Sequence, residues 1–300
     1  MRRIVLAALL LAALSGTMAS GGEKYRVSII TKAMDSEWWR TVRAGAEKFA
    51  SENSDMEVIV LAPDREINVQ QQIQIIEDQI TNRVNSLVIA PCGAQEVIPT
   101  LDKAAEAKIP VVIFDTDADW PKKEAYVGSK NYDGGKLAGE YIVKNLPNGG
   151  EVALITGVMG HQTHIDRVQG AIDQIKTNPK IKIVSQQPAN SERALGMTVM
   201  ENTLTTYPKL DFLFATNDEM ALGASQAAQA ENSKVKIIGF DGTTEARKAI
   251  KDGIMIGSID GNAFGLGYES AKAGYAVAKG GKLPPVVPVQ LLLITPETVN

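Results

Sequence analysis

The chain has little that ligates metals or makes crosslinks. Its 300 residues include one cysteine, Cys92, and two histidines, His161 and His164. A single cysteine excludes an intrachain disulfide framework and any cysteine-rich zinc site. Two histidines argue against a histidine-based metal centre. Positive charge is not in excess: 31 Lys and Arg stand against 35 Asp and Glu, a formal net charge of −4. No basic field is therefore offered to nucleic acid. No Gly-x-Gly-x-x-Gly follows the first predicted strand, which weighs against a dinucleotide site. No apolar run is long enough to cross about 30 Å of hydrocarbon as a helix. The remaining composition, 44% hydrophobic and 22% charged, is ordinary globular protein. At about 150 residues per domain, the length suits two domains.

The first twenty residues have their own character. Arg2 and Arg3 precede an apolar run from Ile4 to Leu14, and small residues follow from Ser15 to Ser20. This layout predicts a secretory signal peptide over residues 1–20, cleaved after Ala19 or Ser20. No cysteine stands nearby to carry a lipid. The expected product lies in the periplasm or extracytoplasmic space. Loss of Arg2 and Arg3 takes the net charge from −4 to −6.

Beyond the leader, short apolar runs alternate with segments of helical period. Strands are predicted at 26–31, 57–62, 86–91 and 110–115, then at 151–156, 181–187, 211–215, 234–240 and 254–259, with a last strand at 289–294. Helices are predicted at 38–50, 69–81 and 94–107, then at 131–145, 163–175, 191–206, 219–230, 245–251 and 263–278. Near-continuous apolar strands between helices indicate parallel sheets covered on both faces. Right-handed crossovers then give doubly wound α/β domains. The two sets make two similar halves, meeting near Gly128-Ser129-Lys130. In such sheets ligands sit at the carboxyl ends of the strands.

Those ends are polar. They carry Lys32, Asp35, Ser36, Glu37, Trp38 and Trp39 after the first strand, and Asp115, Thr116 and Asp117 after the fourth. In the second half they carry Arg167, Asn190, Ser191, Asn217, Asp241, Asp260 and Asn262. Carboxylates, amides and guanidinium groups pair well with adjacent hydroxyls, and an aromatic ring suits the apolar face of a sugar. Taken singly these residues have plain explanations. Asp35, Ser36, Asn190, Ser191 and Asn217 precede helices and could serve as N-caps. One tryptophan of the pair could be core. Asp115 and Asp117 could be turn residues, and Arg167 a surface charge. Cys92 reads as a small buried residue, and Trp120 as an exposed loop residue.

Segments 214–224 (FATNDEMALGA), 237–243 (IIGFDGT), 185–189 (SQQPA) and 128–131 (GSKN) occur in order. With them the chain resembles the periplasmic sugar-binding proteins of ABC transporters, the ribose- and allose-binding branch in particular, over essentially its whole length after the leader. The resemblance implies two doubly wound lobes joined by three hinge crossovers, with a ligand cleft between them. By analogy one lobe comprises residues 25–129 plus 262–290 and the other 130–261 plus 291–300. It implies ligand-binding roles for Lys32, Ser36, Trp38, Trp39, Asp115, Arg167, Asn217 and Asp241. Asp117, Asn190, Asp260 and Asn262 join them as strand-end candidates. The implied activity is binding, with no catalytic residue, no metal and no cofactor. The implied partners are a small sugar or polyol and a membrane ABC permease. A chemoreceptor is a further partner open to this architecture, and a carrier that opens and closes freely is expected to be a monomer.

The chain departs from the family pattern in three places. Thr116 stands where ribose binders have arginine, Ser191 where they have an aromatic residue, and Gly261 where they have the hinge glutamine. These changes put ribose itself in doubt. The acidic residues Asp35, Glu37, Asp115, Asp117, Asp241 and Asp260 would also suit an amino sugar, because buried carboxylates need a cationic partner. An autoinducer-type furanose is a further alternative. A glycosidase using Asp115 and Asp117 and a sugar-responsive repressor are the competing classes. The repressor would need an N-terminal DNA-binding domain where the leader stands.

Overall fold

A computed structural model describes residues 24–299; the leader expected over residues 1–20 lies outside the described residues. The chain forms two six-stranded sheets. The first half supplies β1 (Tyr25–Ile30), α1 (Glu37–Ser51), β2 (Met56–Leu61), α2 (Val69–Thr81), β3 (Ser86–Ile89), α3 (Ile98–Glu106), β4 (Val111–Phe114) and β5 (Ala125–Gly128). The second supplies α4 (Asn131–Asn145), β6 (Gly150–Thr156), α5 (Gln162–Ile175), β7 (Ile181–Pro188), α6 (Arg193–Thr206), β8 (Phe212–Ala215), α7 (Asp218–Ala230), β9 (Lys236–Asp241), α8 (Thr244–Lys251) and β10 (Gly257–Asp260). Then come α9 (Ala263–Ala278), β11 (Val286–Pro288) and β12 (Leu292–Ile294).

Strand order is β11-β5-β4-β3-β1-β2 in one sheet and β12-β10-β9-β8-β6-β7 in the other. Every pairing is parallel except β10 with β12. The central strands are buried along their whole length, as in Ser86–Ile89 and Phe212–Ala215. That is the pattern of sheets covered by helices on both faces. Each sheet accordingly has two apolar clusters. The chain passes between sheets three times: after β5, between β10 and α9, and between β11 and β12.

Three helix pairs, α1 with α9, α4 with α5 and α6 with α7, approach closely at glycines. A Cβ on Gly267 would lie 1.8 Å from the Val42 carbonyl oxygen, and one on Gly45 2.0 Å from that of Phe264. Gly135 and Gly170 do the same for α4 and α5, and Gly196 and Gly223 for α6 and α7.

The structure differs from the expected elements at two points. β5 was not among the predicted strands: it has four residues and follows the polar turn at Pro121–Glu124. Of the predicted last strand at 289–294 only Leu292–Ile294 is strand, as β12; residues 289–291 form the third crossing, and β11 at Val286–Pro288 stands where a turn was expected. Trp120 is buried rather than exposed. Its indole Nε1 donates to Asp102 Oδ1 at 3.0 Å and its ring packs with Ile109 and Tyr126.

Candidate functional site

The carboxyl ends of both sheets face one another across a narrow cavity of about 40 Å3. Of the residues singled out in the sequence, Lys32, Ser36, Trp38, Trp39, Asp115, Arg167, Asn190, Asn217 and Asp241 line it. Asp35 lies at its edge, exposed.

The first lobe supplies the aromatic wall. Ser36 caps α1, accepting from the Trp39 N–H at 3.4 Å, and thereby sets both tryptophans in the first turn. Their rings meet edge to face at 6.5 Å, and Trp39 meets Phe114 likewise at 6.4 Å. Gly261 makes room for Trp38, because a Cβ there would lie 2.6 Å from the indole. The departure at the hinge position is thus matched by the bulk of Trp38.

Charge is paired across this floor. Lys32, 2% exposed, reaches Asp115 Oδ2 at 2.8 Å and donates to Thr116 Oγ1 at 2.5 Å. Burial works against the ammonium, yet Asp115 and Glu66 outweigh it and raise the Lys32 pKa above its ordinary value. Beneath it Cys92 is fully buried, its Sγ 3.6 Å from the Lys32 carbonyl oxygen. Burial pushes the thiol pKa up to about 12.

The second lobe supplies the facing polar wall. Arg167 Nη1 donates to the Thr216 carbonyl at 2.8 Å and Nε to Asn131 Oδ1 at 2.9 Å. Its guanidinium stacks 3.5 Å from the Phe240 ring centroid and lies 3.6 Å from Asp241 Oδ1. Burial raises the Asp241 pKa well above the carboxylate range, although Arg167 opposes the shift. Asn217 caps α7 through Oδ1 and donates Nδ2 to the Ser191 carbonyl at 3.3 Å. Ser36 and Asn217 therefore cap helices and face the cavity at once. Asn190 caps nothing, because Glu192 holds the cap position of α6. Asp115, Asn190, Ser191 and Asp241 all have left-handed or otherwise positive φ values, 61°, 49°, 64° and 119°. Backbone strain of this kind gathers at binding sites.

Three of the singled-out residues are not brought to this cavity. Asp117 turns outward to Lys123 and the Ala118 N–H. Asp260 pairs with Arg247 at 2.7 Å, and Asn262 caps α9. Asp115 and Asp117 thus do not face one another across a substrate site, as a paired-carboxylate glycosidase requires.

The cavity also contains residues not among the expected ligand-binding set: Arg65, Glu66, Ile67, Thr163, His164 and Glu192. Glu66 Oε1 accepts from the Trp39 indole at 2.9 Å, and Oε2 from Ser191 Oγ of the opposite lobe at 3.2 Å. Arg65 meets Glu192 at 3.3 Å across the opening. Thr116 and Thr163 share a hydrogen bond across the cleft. Glu37 Oε1 accepts from the Thr244 N–H at 2.8 Å.

Residues 27–282 match the family model described as periplasmic binding protein domain. The chain belongs to the periplasmic binding protein family. It is 32% identical over 284 residues to the ribose import binding protein of Salmonella typhimurium, covering 94% of this chain and 95% of that one. It is 34% identical over 256 residues to the D-ribose/D-allose-binding protein of Pseudomonas aeruginosa, covering 82% and 80%. An ABC transporter periplasmic solute binding protein of Actinobacillus succinogenes, crystallised with D-allose, superposes with a TM-score of 0.87 at 28% identity, covering 92% and 99%. Among the described residues, no helix is long and apolar enough to cross a membrane.

Proposed function

We propose that this protein is an extracytoplasmic solute-binding protein. It captures a monosaccharide or related polyol between its lobes and delivers it to an ABC permease of the membrane. The observation that carries this reading is the make-up of the cavity. Two tryptophans from one lobe face buried, hydrogen-bonding Arg167, Asn217 and Asp241 of the other. An aromatic wall packs against C–H groups while planar polar groups take the hydroxyls. Similarity to ribose- and allose-binding relatives supports the same class. The leader over residues 1–20 would route the chain to the periplasm.

In this mechanism residues 25–129 plus 262–290 and residues 130–261 plus 291–300 move as two bodies about the three crossovers. A ligand that touches both favours the closed arrangement. Lys32, Ser36, Trp38, Trp39 and Asp115 act from one side, and Arg167, Asn190, Asn217 and Asp241 from the other. A neutral sugar is favoured over an amino sugar. Of the carboxylates the sequence singled out, Asp115 and Asp241 already face Lys32 and Arg167, and Asp117 and Asp260 point elsewhere; Glu66 is occupied by the Trp39 indole and Ser191.

A thermal-shift screen of pentoses, hexoses, deoxy sugars, polyols, amino sugars and an autoinducer-type furanose tests this. At ligand a thousandfold above Kd, linkage gives about 4 kcal/mol of stabilisation, a shift of several degrees. One neutral sugar or polyol is expected to give it. A panel without any shift would overturn the ligand class.

A further inference from the structure

Glu66 enters the cleft only 15% exposed and has no lysine or arginine within ion-pair distance among the described residues. Facing it from the N-terminal end of α5 in the other lobe are the two histidines of the chain. His161 precedes that helix, with its side chain 5% exposed. Its Nδ1 is buried without any hydrogen-bond partner and lies 3.8 Å from Glu66 Oε2. His164 is anchored through Nδ1 to Thr216 Oγ1 at 2.9 Å, which leaves Nε2 towards Ser191 Oγ at 3.1 Å. That hydroxyl stands 3.2 Å from Glu66 Oε2. One ligand atom from each of Glu66, His161 and His164 lies within 4.8 Å of the other two.

We propose that Glu66, His161 and His164 bind one divalent transition-metal ion that joins the two lobes across the cleft. Two imidazoles and a carboxylate are a donor set for zinc and related ions, whereas calcium and magnesium call for oxygen ligands. Bonds of about 2.0–2.1 Å place tetrahedral ligand atoms about 3.4 Å apart. Side-chain rotations of roughly an ångström would draw the three together, with Ser191 Oγ or water at the fourth position. The hydroxyl on the far nitrogen of His164 is the outer support that metal-ligating histidines ordinarily have. Gly157 gives that ring its room, because a Cβ there would lie 2.1 Å from Nε2. Because its ligands come from both lobes, the ion binds the closed arrangement and stabilises it by linkage. No sugar is needed for this, so the site stands or falls separately from the sugar-binding reading.

The test uses the full chain without sugar, stripped by a chelator and then titrated with Zn2+, or with Co2+ for spectroscopy. The expected result is one equivalent bound, a Tm raised by several degrees and the visible d–d bands of four-coordinate cobalt. The radius of gyration in solution scattering is expected to fall as the ion binds. His161→Ala removes no hydrogen bond and, as loss of a direct ligand costs more than the roughly 10–100-fold of an outer partner, is expected to weaken zinc binding by at least about 100-fold. Glu66→Gln is expected to do the same and to abolish the fall in radius. Absence of stoichiometric binding would overturn the proposal. So would binding that is unchanged in both variants, which marks an adventitious surface ion.

Discussion

Lys32 is the most consequential single residue of the first lobe, because its ammonium is the buried counter-charge of Asp115. Removing one partner of a buried pair leaves the other uncompensated, at a cost of about 3–5 kcal/mol. Lys32→Met is therefore expected to lower stability by that order in urea unfolding. Lys32→Met with Asp115→Asn should recover part of the loss, since Asn removes the unpaired charge and tolerates the left-handed φ of 61° at that position. Asp218 makes a second residue-level prediction. Its carboxyl accepts from Ser258 Oγ, Thr243 N–H and Thr243 Oγ1, yet burial raises its pKa to about 7. The native state thus keeps a proton that the unfolded chain releases near pH 4. Stability from this group is present at low pH and is lost as pH rises through about 7. Urea midpoints are expected to fall as pH rises from about 4 to about 7, and Asp218→Asn to flatten that fall. The strand-end positions of Trp38, Trp39, Asp115, Asn217 and Asp241 were legible because strand ends are where doubly wound sheets place ligands. Glu66 was not. It stands in a loop beyond β2 with no motif around it, and only the parallel pairing of β1 with β2 brings it to Trp39. His164 did leave a signal, the His161-x-x-His164 spacing. Counting histidines hid it, because the third ligand comes from the other lobe.

At the scale of elements, the period of the sequence carried the helices and the central strands. Val69–Thr81, Asn131–Asn145 and Ala263–Ala278 start and stop where the pattern places them. β5 and β11 escaped, because no helix separates β5 from β4 and because Pro284, Pro285 and Pro288 make the β11 segment read as a turn; β11 and β12 exist through their neighbours. The helix-pair glycines are likewise invisible until the partners are known. Gly267→Ala should force α1 and α9 apart, at a cost of about 1–3 kcal/mol, seen as a lower urea midpoint with an unchanged m-value.

At the scale of the molecule, the lobes touch directly as well as through any ligand. Arg65 with Glu192 is a partly exposed pair, 60% and 30% by side chain, and such pairs contribute about 1 kcal/mol or less. Arg65→Ala is therefore expected to weaken sugar binding by no more than about fivefold in calorimetry. Arg167→Met removes the buried link between Thr216, Asn131 and Asp241. It is expected to abolish measurable binding in the same assay. The two-lobe plan was readable from the doubling of the strand-helix pattern, whereas the contacts between lobes were not, since no local pattern encodes them. One property of the interior has a practical side. The only thiol lies sealed beneath Lys32 and is held protonated, so the folded chain is blind to thiol-directed dyes. A cysteine introduced on the rim of one lobe would be the sole attachment point. A fluorophore there would turn each closing of the cleft into an optical signal, without first editing the native sequence.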